Sequence, residues 1–174
     1  SDTAANLAWA QVWRVGVGRE VLRREALRYV YRSSLLKEQL LAESGGPKPV
    51  VLAVGFDLPP GDVAELTAKA DEYLARRRAT QPVEPSAGSI FRNPPGEYAG
   101  KLIEGLGLKG HRIGGAQFSP RHANFIVNAG DATAADVAAL INLARRQVFD
   151  ATGLVLIPEI LFIGAWDTPP LLPL

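Results

Sequence analysis

The sequence has no cysteine and no methionine, and only two histidines, His111 and His122. Without cysteine there is no disulfide framework, and thiolate-ligated zinc or iron–sulfur sites are excluded. Two histidines are too few for a histidine-rich site, so no metal centre is expected. An excess of one charge sign is also lacking. The net charge of +1 removes the field-based argument for nucleic acid as a partner. No apolar run approaches the roughly 20 residues of a membrane-spanning helix, and the first residues lack the basic-then-apolar order of a signal peptide. No membrane association is expected. The absence of cysteine fits a reducing compartment, and the cytoplasm is the expected location. The missing methionines include an initiator. SDTAANLAWAQVW enters strand-like residues almost at once, which reads as a piece of a longer polypeptide.

What is present suffices for one medium domain or two small ones: 174 residues, 47% of them apolar, can bury a sizeable core. Residues 7–17, rich in Trp and Val, read as one or two strands. Residues 19–28 fit either a short helix or a basic turn. YVYRSS (29–34) is β-prone, and SGGPKP (44–49) is a loop by composition. VVLAVGFDL (50–58) is apolar on both faces, which predicts a buried strand. Asp62, with Glu65 three residues on, opens a helix in capping-box fashion. Val63, Leu66, Ala70, Tyr73 and Leu74 keep helical spacing to about Arg78. Arg76, Arg77 and Arg78 suit the helix end through its dipole, as a solvated terminus or, alternatively, a phosphate contact.

Residues 79–88 lose periodicity, and the expected domains are 1–84, 85–164 and a tail, 165–174. The second should hold a strand at 89–92 and a helix with Tyr98, Ala99, Leu102, Ile103 and Leu106 on one face. A glycine-rich loop at 107–115 and a strand at 124–128 should follow. Thr133, with Asp136 as capping partner, should open a helix that buries Val137, Leu140, Ile141, Ala144 and Val148. A last strand is expected at 154–163. The fold class is α+β.

Two familiar motifs fail on context. Gly105, Gly107 and Gly110 have the G-x-G-x-x-G spacing, but they end a helix where a dinucleotide fingerprint must open one. Gly16 and Gly18 lack the third glycine. Ser119 and His122 are three residues apart without a nucleophile elbow, and a structural histidine explains them.

Three polar residues stand out. Arg32, in YVYRSS, is flanked by tyrosine and small hydroxyls, and a surface cation stacked on Tyr31 explains it locally. Ser89, in PSAGSIFRNP, fits a hydroxyl capping its own turn. Glu159, in LVLIPEILFIG, places a carboxylate in an apolar run, costly unless it faces solvent, a partner or a site. Pro158 beside it suggests an edge or a bulge. Together they supply a cation, a hydroxyl and a carboxylate.

GSIFRNP, then GLKGHRIGGAQFSPRHANFIVN, then LIPEILFIG, with YVYRSS upstream, resembles the C-terminal half of the UDP-N-acetylenolpyruvoylglucosamine reductase (MurB) family, in its shorter subtype. The resemblance implies the end of an FAD-binding domain followed by a small α/β sandwich that binds substrate. It implies a flavoenzyme of peptidoglycan precursor synthesis, and so of cell-wall biogenesis, shape and division. NADPH reduces FAD, and the flavin reduces the enolpyruvyl ether of a UDP-sugar to give UDP-N-acetylmuramate. It makes Arg32, Ser89 and Glu159 the catalytic set, and Tyr31, Asn93 and Asn124 substrate-binding residues. In that scheme charge develops next to the substrate carboxylate. Arg32 holds the carboxylate, Glu159 supports Arg32 or the enol form, and Ser89 delivers a proton. The family's glycine-rich flavin turn has no counterpart here, so the chain alone is expected to bind FAD poorly and not to turn over. The alternatives are a non-catalytic UDP-sugar-binding or interaction module of the same fold, and a different FAD oxidoreductase.

Overall fold

The computed structural model describes residues 3–41 and 47–174, so the first part of the loop expected at 44–49 lies outside the described residues. The chain divides into two units, Ser1–Val63 and Ala64–Leu174.

In the first unit, β1 (Leu7–Arg14) pairs antiparallel with β2 (Gly18–Arg23) and with β3 (Val50–Phe56), in the order β2-β1-β3. Gly16 and Gly18 take φ of 79° and 94° in the β1–β2 turn, a left-handed conformation open to glycine at little cost. Residues 19–23 are therefore strand, and a 3-10 turn follows at Arg24–Leu27. Cross-strand pairing decides this: Arg14 is ion-paired with Glu20. Helix α1 (Leu35–Leu41) was not expected. Leu7, Ala10 and Leu27 are buried, with Leu22 and Leu36 packed on them.

The expected burial of residues 50–58 is overturned. Val50, Val51, Leu52, Val54 and Phe56 are each close to half exposed, because β3 is an outer strand with β1 on one side only. The helix after it, α2 (Val63–Thr80), forms where the spacing predicts, yet none of its residues is buried.

In the second unit a four-stranded antiparallel sheet has the order β4-β7-β6-β5: β4 (Ser86–Ser89), β7 (Phe125–Asn128), β6 (Ala116–Phe118) and β5 (Arg112–Ile113). Helices α3 (Ala99–Gly105) and α4 (Ala134–Thr152) complete it. Their apolar stripes meet the sheet in one core that includes Ile90, Phe91, Ile103, Phe118, Leu140, Ile141, Val148 and Leu156. The capping box on α4 forms as predicted: Asp136 N–H donates to Thr133 Oγ1 at 3.1 Å and Thr133 N–H to Asp136 Oδ2 at 3.0 Å.

Residues 107–115 are not simply a loop. They contain β5 and lead into a hairpin whose two-residue turn is Gly114-Gly115. Gly114, at φ 54°, holds the position where such turns favour glycine. A Cβ on Gly115 would overlap the Gly130 carbonyl oxygen and the Ala132 nitrogen.

Two strand boundaries also need correction. The strand expected at 89–92 begins earlier and ends at Ser89. The strand expected at 154–163 is reduced to one bridge, Phe91 to Pro158. Pro158 has no N–H to extend a ladder, so pairing rests on its neighbours: Arg92 N–H donates to Ile157 O (3.0 Å) and Glu159 N–H to Ile90 O (2.7 Å). Beyond it the tail lies along α4. Asn142 Nδ2 donates to Pro170 O at 2.9 Å, and Asn142 Oδ1 accepts from Leu172 N–H at 3.0 Å.

Candidate functional site

Ser89 is the last residue of β4, and its aim is set by an irregularity. Ser86 pairs with Val127 and Ser89 with Phe125, so three steps on β4 oppose two on β7. Gly88, at φ 78°, absorbs the extra residue. Such a bulge re-aims the side chain that follows it. Ser89 thereby lines a concave site of about 320 Å³, together with Asn93, Tyr98, Lys101, Arg121, His122 and Asn124.

The asparagines of this site build it. Asn124 is 5% exposed. Its Oδ1 accepts from Phe91 N–H at 2.9 Å, and its Nδ2 donates to Phe91 O at 2.8 Å. Its backbone oxygen accepts from Ile90 N–H at 2.9 Å. One asparagine thus supplies the bonds that a neighbouring strand would give to Ile90 and Phe91. Asn93 Oδ1 accepts from Ala99 N–H at 3.1 Å, at the start of α3.

His122 Nδ1 accepts from Asn124 N–H at 3.2 Å, and its ring meets Phe125 edge-on at 5.0 Å. Ser119 Oγ accepts from the N–H groups of Arg121 and His122, at 3.1 and 3.4 Å. This is a turn cap, as the structural reading of that pair required.

Sequence reasoning missed Tyr98, Lys101 and Arg121. Lys101 Nζ lies 5.1 Å from the centre of the Tyr98 ring. Arg121 Nη1 donates to the carbonyls of Arg78 and Gln81, at 2.6 and 3.2 Å. The i, i+3 spacing of Tyr98 and Lys101 was available as a signal. The long-range tie from Arg121 to the end of α2 was not.

Glu159 is half-buried and does not line this cavity. Its backbone bond to Ile90 O fixes it one residue from Ser89 along that segment. Arg32 and Tyr31 belong to the first unit and form the tip of a two-residue turn closed by reciprocal bonds between Val30 and Ser33, each 3.1 Å. Arg32 has φ 58°, a conformation that costs a non-glycine residue roughly 1–2 kcal/mol. Its guanidinium carbon stands 5.7 Å from the Tyr31 ring centre, the stacking the sequence suggested. Arg28 and Asp131 share this left-handed conformation, at φ 45° and 55°.

Residues 81–163 match the profile of the family described as UDP-N-acetylenolpyruvoylglucosamine reductase, C-terminal domain. The UDP-N-acetylenolpyruvoylglucosamine reductase of Caldicellulosiruptor bescii is 48% identical over 155 residues, which are 87% of this chain and 47% of the relative. The reductase of the same name from Anaeromyxobacter dehalogenans (strain 2CP-C) is 51% identical over 146 residues, 83% of this chain and 41% of the relative. The crystal structure of UDP-N-acetylenolpyruvylglucosamine reductase (MurB) from Thermus caldophilus superposes with a TM-score of 0.69 at 35% identity. It covers 90% of this chain and 52% of that one. The chain therefore spans about half the length of the curated relatives it matches. On these matches, and with GSIFRNP and the HANF segment folded around one cavity, residues 81–163 are a C-terminal domain of the UDP-N-acetylenolpyruvoylglucosamine reductase family, and the chain as a whole is similar to about half of reductases of that name.

Proposed function

We propose that the chain is a fragment of an FAD-dependent, NADPH-using reductase that converts UDP-N-acetylglucosamine enolpyruvate to UDP-N-acetylmuramate in the cytoplasm. The observation that carries this reading is the re-aimed Ser89 on the wall of a polar cavity, in a chain about 50% identical to reductases of that name. In this reading residues 1–84 end the flavin domain, 85–164 bind substrate, and 165–174 are a tail.

The described residues do not make a pyrophosphate site for the flavin. Gly16 and Gly18 turn one strand into another, and Gly107 follows α3. Of the three helices that follow a strand, α2 and α4 carry Glu65 and Asp136 in their first turns, where a pyrophosphate would meet like charge, and the seven-residue α3 has its first N–H already taken by Asn93 Oδ1. No step is therefore derived through FAD.

The chain's own residues account for the proton side of the reaction. One of the two hydrogens added to the enolpyruvyl carbons arrives as a proton, which Ser89 Oγ donates. A serine is a weak acid, so the donation depends on charge at the receiving carbon and on a fixed position. Arg32 holds the substrate carboxylate through its planar fork and stabilises that charge, with Tyr31 stacked on it. The family resemblance assigns Glu159 the support of that arginine's role or, when protonated, of the enol form. Lys101, over Tyr98 at the cavity wall, suits an anionic group such as a diphosphate. Asn93 contacts substrate with the part of its amide not bonded to Ala99. Asn124 acts by position, since its amide is engaged with Phe91.

Titration of the ¹⁵N-labelled chain with UDP-N-acetylmuramate tests this. Saturable shifts at the amides of Ser89, Asn93 and Lys101, with none at Asn142 on α4, are the expected result. An unshifted cavity at millimolar ligand overturns the assignment.

A further inference from the structure

The family profile ends at residue 163, and Gly164 turns the chain there at φ 93°. The segment that follows, AWDTPPLLPL (165–174), lies outside the matched domain. Trp166 sets its start. The indole N–H donates to Ile163 O at 3.3 Å, and the ring meets Phe162 edge-on at 5.6 Å. Pro169, Pro170 and Pro173 have fixed φ and keep the residues before them extended, so the segment is stiff before it touches anything. Proline has no N–H, so from 169 to 173 only Leu171 and Leu172 can donate from the backbone.

Helix α4 engages this segment through its main chain. Asn142 and Arg145 stand three residues apart on one face of the helix. The Asn142 amide donates to Pro170 O at 2.9 Å and accepts from Leu172 N–H at 3.0 Å, and Arg145 Nη1 donates to Leu172 O at 2.7 Å. The two amide bonds bracket Leu171, whose side chain packs on the core of the second unit. Asn124 grips Phe91 with the same pair of bonds, but there the fit is tight and here it is loose. A space of about 490 Å³ stays open between the tail and Ala135, Ala138 and Ala139 of α4, and Leu172 and Leu174 are 46% and 42% exposed. A segment belonging to the core would fill that space. One held by its main chain and a single leucine has the contacts of a bound peptide.

We infer that the Asn142–Arg145 face of α4 is a binding site for an extended, proline-rich peptide, and that residues 165–174 are its occupant, docked from the same chain and able to leave. Recognition is of the polyproline kind, in which a preformed extended backbone costs little to order. The asparagine and the arginine read two carbonyls and one N–H that any such peptide offers, and Leu171 sets the register. Attachment at Gly164 holds the peptide at an effective concentration on the order of millimolar, so a weak site stays filled. This inference is independent of the catalytic roles of Ser89, Arg32 and Glu159.

The test uses the whole ¹⁵N-labelled chain and a synthetic peptide with the sequence of residues 165–174. In the parent chain the Leu172 amide should exchange at least about tenfold more slowly than in the free peptide. Asn142→Ala should return it to the peptide's rate while the Ile141 and Ala144 amides of α4 keep theirs. Exchange of Leu172 at the peptide's rate in the parent overturns the inference, as does protection that survives Asn142→Ala. Leu171→Asp should then release the tail and free the site. Added to that chain, the peptide should give saturable shifts at the amides of Asn142, Arg145 and Ile113, and a peptide carrying the same Leu171→Asp change should give none. No shift at millimolar peptide overturns the inference. Should Leu171→Asp unfold the second unit, Leu172→Pro takes its place, because it removes only the N–H that Asn142 Oδ1 accepts. A dimer of the parent chain that either tail substitution breaks also overturns the inference, since a second copy then supplies the occupant.

Discussion

Replacing Asn124 by alanine removes the two bonds that hold Phe91 without touching any group proposed to react. Phe91 is 1% exposed, and Asn124 is 5% exposed. The Phe91 N–H and carbonyl point away from the Pro158 segment, whose bonds run through Ile90 and Arg92 instead. Without the asparagine amide neither group has a partner. A buried unsatisfied donor or acceptor costs roughly 1–3 kcal/mol. Two such groups, partly relieved by water entering the space, give a loss of about 2–4 kcal/mol. At roughly 4 °C per kcal/mol for a chain of this size, the melting temperature falls by about 10 °C. Urea unfolding followed by circular dichroism reads the same quantity as a lower midpoint at constant slope. A loss below about 0.5 kcal/mol would show that the Phe91 backbone finds other partners, and the account of how Ser89 is positioned would fail with it.

Asn124→Asp separates the two bonds. The acceptor for Phe91 N–H is kept, but a carboxylate cannot donate to Phe91 O, whereas a protonated carboxyl can. Burial and the Phe91 carbonyl, which only the protonated carboxyl can satisfy, raise the folded pKa of the new carboxyl against the opposite pull of the Phe91 N–H. The sign follows: a raised folded pKa gives stability that is fully present below the unfolded value of about 3.9 and lost as pH rises through the folded value. The Asp variant should therefore approach the parent near pH 3.5 and fall away from it by pH 7. Equal deficits at both pH values would refute the donor role assigned to Nδ2.

Joining the chain to the uncovered part of a relative and changing Ser89 to Ala should slow substrate-dependent turnover by ~10²–10⁴, the usual size of acid–base effects. Reduction by NADPH should be spared, and equal losses in both half-reactions would remove Ser89 as proton donor. Gly115→Ala should destabilise the second unit by at least about 1–3 kcal/mol, the usual cost of overpacking, because the added carbon meets the backbone of Gly130 and Ala132; a neutral result in thermal unfolding would mean that the β5–β6 hairpin moves freely. Asp136 is held below the ordinary aspartate range by the backbone N–H of Thr133, then that of Gly115, and by the Thr133 hydroxyl. A depressed pKa gives stability present above the unfolded value and lost as pH falls through the folded one, so Asp136→Asn should flatten the acid side of the stability profile below about pH 4.

The elements that the sequence made legible carry their own instructions. Thr133 and Asp136 sit three apart and cap each other regardless of surroundings, and the stripe from Val137 to Val148 then has one face to bury. Residues 50–58 were misread because an apolar pattern reports what a strand requires around it, not what this chain supplies; its exposure is a property of what stands beside it. Residues 154–163 were misread for the opposite reason. Their composition suits a strand, but Pro158 allows only one bridge, and the remaining bonds come from isolated neighbours. Arg32, Ser89 and Glu159 were noticed because each breaks a local pattern. Tyr98, Lys101 and Arg121 were passed over because each is ordinary in its local setting, and only the tertiary fold gathers them.

The failure of the two flanking segments to form regular ladders is itself what organises the site. Ile90 N–H donates to Asn124 O, and Ile90 O accepts from Glu159 N–H, so a single residue is tied on one side to the HANF segment and on the other to the segment bearing Glu159. Ser89 precedes that residue, on a bulge that turns its side chain to the cavity. A regular strand from 89 to 92 would share its bonds evenly along two neighbours, and a slip of one residue would turn every side chain over. Here the Asn124 amide grips both polar groups of Phe91, and that grip admits one register. The polar side chains of GSIFRNP and HANF are thus required twice, once to fix the backbone without a ladder and once to face the cavity, which is why so short a stretch identifies the family.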